Sequence, residues 1–155
     1  MQIVIDTNIW IKALSNDDDY SLTCDRVLLG FLNESTLQLA LDSEWEIEKE
    51  YMDNLQMNRR YQCIMCQLEN EHRRTWNSSH LPQKHLNKLD ELQFHEPEDR
   101  IFVGVAYNTD KKIITEDSDY GVHGEVDKKG VYDYMREKMD LDVYSAEETL
   151  ETILK

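Results

Sequence analysis

Gln2-Ile3-Val4-Ile5-Asp6-Thr7-Asn8 opens the chain with three consecutive β-branched apolar residues and then an acid. A short apolar run without alternation reads as a strand buried on both faces, the habit of a parallel sheet. Asp6 then falls at its C-terminal end, and Thr7-Asn8 can cap a short helix over Ile9–Leu14. Further strands are predicted at Leu37–Leu41, Lys111–Thr115 and Leu141–Tyr144. Between them lie amphipathic stretches. Leu22–Leu32 turns Val27, Leu28, Phe31 and Leu32 inward. Ser43-Glu44-Trp45-Glu46 fits a capping box for a helix to about Leu55, with Ile47, Tyr51 and Leu55 at core spacing. Pro97 suits the first turn of a helix carrying Ile101, Phe102, Val105 and Ala106. Residues 127–139 predict another helix, and Ser145 with Glu148 a second capping box. Strands alternating with helices imply an α/β fold: a three-layer α/β/α domain with a central parallel sheet of four or five strands. Residues 1–155 read as one domain. The stretch at about 57–94 shows no strand signal and reads as a helical insert, broken near Leu81-Pro82.

Composition narrows the function classes. The formal charge is −15, from 32 acidic and 17 basic residues, the wrong balance for holding nucleic acid by bulk electrostatics. Apolar content of 40% argues against disorder. The cysteines Cys24, Cys63 and Cys66 are odd in number and sparse, which fits a reducing compartment rather than a disulfide framework. Met1-Gln2 leads directly into a strand, without a signal-peptide pattern, and no run is long enough to span a membrane. The expectation is a cytoplasmic protein with no membrane partner.

Four acids stand where strands end or helices begin, and a fifth lies on an adjoining helix. Asp6 follows the first strand, Asp99 opens a helix, and Asp117 and Asp119 follow Ile113-Ile114-Thr115. Glu50 lies one turn beyond Glu46 on a helix, and Glu46 is the alternate because its capping role already accounts for it. Each has an ordinary structural use, in capping, dipole complementation or turns. Together they would meet at one edge of a parallel sheet. Carboxylates gathered there repel one another, and a hard divalent cation with oxygen ligands, Mg²⁺ or Mn²⁺, is the economical neutraliser.

Ile3-Val4-Ile5-Asp6-Thr7-Asn8, helical Glu50, Glu98-Asp99-Arg100-Ile101-Phe102-Val103 and Ile114-Thr115-Glu116-Asp117-Ser118-Asp119-Tyr120, in this order, resemble the PIN-domain nucleases. The resemblance spans residue 2 to about 145 and is poorest over 57–94. It implies a metal-dependent ribonuclease with acids at Asp6, Glu50, Asp99 and Asp117, and Asp119 as a frequent fifth. It also implies Asp6, Asp99, Asp117 and Asp119 as metal ligands, and products with a 5′-phosphate and a 3′-hydroxyl. Similar proteins include toxins of toxin–antitoxin pairs, so an antitoxin protein and a homodimer are the implied partners. Asn8 and Thr115 are placed to hold ligand or phosphate oxygens.

For the RNA strand, Arg59-Arg60-Tyr61 and His72-Arg73-Arg74 with Trp76, extended by Lys84, His85 and Lys88, combine cations and aromatic rings, as suits single-stranded substrates. The competing reading is a solvated helix pairing with its own Glu69 and Glu71. Cys63-Ile64-Met65-Cys66 lacks the second CxxC of a zinc site. Phosphoryl transfer through an aspartyl nucleophile wants a second Asp two residues after the first, where Asn8 stands. A PIN-like scaffold without activity, binding RNA or protein, is the non-enzymatic alternative.

Overall fold

A computed structural model describes residues 1–155. Five strands alternate with helices: β1 (Gln2–Ile5), α1 (Thr7–Leu14), α2 (Leu22–Asn33), β2 (Gln38–Asp42), α3 (Glu46–Leu55), α4 (Arg59–Asn70) and β3 (Arg74–Asn77). Then follow α5 (Gln83–Glu91), α6 (Pro97–Tyr107), β4 (Lys112–Ile114), α7 (Lys129–Lys138), β5 (Asp142–Tyr144) and α8 (Ala146–Thr152), with 3-10 turns at Ser118–Tyr120 and Val126–Lys128. All strands are parallel, in the order β3-β2-β1-β4-β5. Ile3, Val4 and Ile5 are all buried, although successive side chains of a strand point to opposite faces, so helices cover the sheet on both sides. The result is the expected three-layer α/β/α arrangement around one cluster of 39 buried residues.

The strand order has one consequence for the site. The chain runs outward from β1 to β2 and β3, then returns to place β4 on the other flank of β1. The reversal lies between β1 and β4, where an open α/β sheet leaves a crevice beyond its strand C-termini.

Two local expectations are corrected. Ser43 and Glu46 do not form a capping box; α3 starts at Glu46, after Trp45 in a left-handed conformation with φ 67°. Asp42, the last residue of β2, takes the cap instead. Its carboxylate accepts from the amides of Glu44 (3.1 Å), Glu46 (3.0 Å) and Ile47 (2.8 Å). A buried carboxylate is a stronger acceptor than the serine hydroxyl beside it. The stretch at about 57–94 is also not wholly helical. Arg74–Asn77 adds an edge strand beside β2, in register from Leu39↔Arg74 to Asp42↔Asn77. Arg-Thr-Trp-Asn has no apolar alternation to announce it, since an edge strand is held mainly by backbone hydrogen bonds to its one neighbour. The Ser145–Glu148 capping box and Pro97 in the first turn of α6 form as expected.

Candidate functional site

Asp6 is built into the crevice by backbone first. Its amide donates to Ile114 O (2.9 Å), carrying the β1–β4 pairing one residue past β1. Its side chain, only 4% exposed, is held from two directions. Thr115 Oγ1 donates to Asp6 Oδ2 at 2.6 Å and Asn8 Nδ2 donates to the same oxygen at 3.0 Å. Thr115 Oγ1 also accepts from the Asp117 amide (3.0 Å), so one hydroxyl joins Asp6 to Asp117. Asn8 Oδ1 accepts from the Glu116 amide (3.0 Å), tying the start of α1 to the end of β4. Asn8 and Thr115, expected to hold ligand or phosphate oxygens, thus direct their side chains to the carboxylate and the turn behind it.

The other acids arrive on separate elements. Asp117 caps the Ser118–Tyr120 turn, accepting from the Asp119 amide at 2.8 Å. Glu50 comes in on α3, where Thr7 Oγ1 donates to its Oε1 at 2.5 Å. The adjacent Tyr51 hydroxyl donates to Ile5 O and pins that helix to the end of β1. Glu46 stays exposed at the helix start. Asp99 sits in the first turn of α6, and the buried Tyr120 donates its hydroxyl to Asp99 O at 3.3 Å. The helix itself is seated by Gly104, where a Cβ would stand 1.9 Å from Ser79 O; only glycine permits that approach.

The electrostatics record this convergence. Burial pushes the Asp6 carboxyl up to about 7, against the Thr115 hydrogen bond that lowers it, with Asp117 and Glu50 adding repulsion. Burial also pushes Asp99 up to about 7, and Asp6, Asp117, Asp119 and Glu50 all raise it further. Burial raises Glu50, opposed by Thr7 and helped by Glu98 and Asp53. Among the five acids only Asp119 has a cationic partner, Lys128 Nζ at 3.0 Å. The donor set is all oxygen, which suits Mg²⁺ or Mn²⁺. Yet no three acidic, His or Cys side chains are drawn close enough to share one ion. The adjoining trough, about 210 Å³ between α3 and α6, is lined by Glu46, Lys49, Glu50, Asp53 and Glu98 rather than by Asp6.

The basic residues expected to take RNA are dispersed. Arg73 is buried and donates to the carbonyls of Phe31, Leu32, Glu34 and Leu37 and to Glu71. It closes the C-terminal end of α2 and is inaccessible to a substrate. Arg74 pairs with Glu48 (2.8 Å) and Glu69, and Arg60 with Asp25 at 2.6 Å. Arg59 is exposed at the start of α4. His85 is buried, with its Nδ1 2.7 Å from the Tyr134 hydroxyl. Arg73 and Arg74 pair with Glu71 and Glu69 as the competing reading expects, but from a buried position and from strand β3 rather than from a solvated helix.

Two residues near the sheet edge carry no sequence signal. Lys128 reaches Asp119 only because the loop after Tyr120 folds back. Trp45 is 57% exposed on its left-handed backbone and lies against Trp76, with ring centroids 4.1 Å apart. No helix is long and apolar enough to cross a membrane. Comparison with family models, with curated proteins and with solved structures gave no match.

Proposed function

We propose that this protein is a metal-dependent endoribonuclease of PIN-like design, acting on single-stranded RNA. The observation that carries the reading is geometric: where strand order reverses, one Thr115 hydroxyl joins Asp6 at the end of β1 to Asp117 after β4, with Glu50 carried on α3 and Asp99 on α6. Two carboxyls held near 7 by burial and by neighbouring acids mark a site that favours added positive charge. Asp6, Asp99, Asp117 and Asp119 would hold Mg²⁺ or Mn²⁺. When bound, such an ion lowers the pKa of a coordinated water and offsets charge on the scissile phosphate. Thr115 and Asn8 hold the Asp6 carboxylate by hydrogen bonds, and Glu50 and Asp119 would orient a water or a second ion.

The test is Mn²⁺-dependent cleavage of an end-labelled single-stranded RNA by the parent protein and by Asp6→Asn. Cleavage by the parent, its loss in EDTA, and a fall of at least about 100-fold in the variant are expected, the scale of removing a group that stabilises charge in the transition state. A parent that leaves the RNA intact with Mn²⁺ and with Mg²⁺ overturns the reading. A non-catalytic scaffold that binds RNA or protein is the second reading. It is favoured by the spacing of the acids, no three of which gather tightly enough for one ion.

A further inference from the structure

We infer that Lys128 is a phosphate-contacting residue of the same crevice; this rests on the nucleic-acid reading above. Its ammonium is the one basic group in ion-pair contact with the five acids, 3.0 Å from Asp119 Oδ1. Four of the five carboxylates make no ion pair, so Lys128 is the one cation that the fold pairs with the acidic set. A phosphodiester entering that site carries negative charge past the same carboxylates and needs such a counterweight.

The lysine is also held in place. Its backbone packs against Gly121, where a Cβ would lie 2.7 Å from Lys128 O, and Gly121 has φ +71°, a conformation that favours glycine. Gly121 amide donates to Ser118 O at 2.9 Å, so the lysine is docked directly onto the turn that presents Asp119. Gly121 also lines a cavity of about 560 Å³ beside this turn, together with Val126 and Tyr132 and the charged Glu125, Lys129 and Asp133.

A purely structural role explains less. The Lys128 and Asp119 side chains are 22% and 46% exposed, and partly exposed ion pairs contribute only about 0–1 kcal/mol. That does not account for a loop folded back on a close glycine contact to deliver one ammonium. Once other charge neutralises Asp119, the same ammonium is free for a phosphate oxygen.

The experiment measures binding of a single-stranded oligoribonucleotide over a range of salt, using the full chain with its acids unchanged and Ca²⁺ in place of Mg²⁺ or Mn²⁺, so that the acidic site can be neutralised while the RNA stays intact. Lys128→Met is expected to weaken binding and to flatten the slope of log K against log salt by about 0.7, the loss of one phosphate contact on a single strand. Lys128→Arg, which keeps the charge, should restore the slope. A folded Lys128→Met protein with the original slope overturns the assignment and leaves the nuclease reading standing. Absence of RNA binding before Lys128 is changed overturns both. If Lys128→Met fails to fold, Lys128→Gln serves for the same comparison.

Discussion

Thr115 and Arg73 show how differently two polar residues can be used. The Thr115 hydroxyl donates to Asp6 and accepts from the Asp117 amide, so a single oxygen holds the ends of two neighbouring strands in register. The Arg73 guanidinium spans the end of α2, and its partners are four backbone carbonyls and Glu71. Beside Arg74 in sequence it resembled half of a basic patch; in space it is internal scaffolding. Arg73→Ala should therefore destabilise the protein by about 3 kcal/mol, since it strands several carbonyls in a dry environment. Urea denaturation reads this directly. Unchanged stability together with weakened RNA binding would return Arg73 to the substrate-contacting set.

Elements are started and seated by neighbours as well as by their own sequences. The first turn of α3 is organised by Asp42 of the preceding strand, whose carboxylate collects three amides. Asp42→Ala is expected to cost about 2 kcal/mol, the upper range for loss of a helix cap, whereas Ser43→Ala should change stability by under about 0.5 kcal/mol. Thermal denaturation of the two variants separates the caps, and a larger loss from Ser43→Ala would reinstate the capping box. The helix matters beyond its own stability because Glu50 and Tyr51 enter the site from it. β3 likewise follows from its surroundings: Arg73 anchors its start, and β2 supplies its hydrogen bonds.

The molecule as a whole carries a charge imbalance focused at one edge of its sheet. Asp6 and Asp99 are raised to about 7, whereas an unfolded aspartate titrates near 4. The native protein keeps protons there that the unfolded chain releases, and this favours the fold fully below about pH 4. As pH rises from about 4 to about 7 that contribution is lost, so in EDTA stability should fall across this window, with Glu50 acting in the same direction. Asp17, Glu34, Glu71 and Asp142, all lowered, act with the opposite sign, and their effect is lost as pH falls through the acid range below it. Mg²⁺ or Mn²⁺ at neutral pH should raise the melting temperature, because an ion bound only by the folded state stabilises it. A melting temperature in EDTA that stays level or climbs between about pH 5 and about pH 7 contradicts the burial of these two acids.

The alternation of strands and helices, the parallel sheet and the positions of the acids at element ends were all legible in the linear chain. These are local properties: apolar runs, helical periodicity and the residues next to them. Asp6, Thr115 and Asp117 could be singled out because each lies within three residues of the end of a strand whose hydrophobic signal is strong. Three-dimensional packing settled the rest. It brought β4 beside β1, buried Arg73 under α2, drew Arg-Thr-Trp-Asn into the sheet and folded Lys128 back onto Asp119. Each of these depends on partners distant in sequence, on backbone hydrogen bonds available only at an unfilled sheet edge, or on charges whose neighbours are chosen by topology, and none of those leaves a mark in the order of residues.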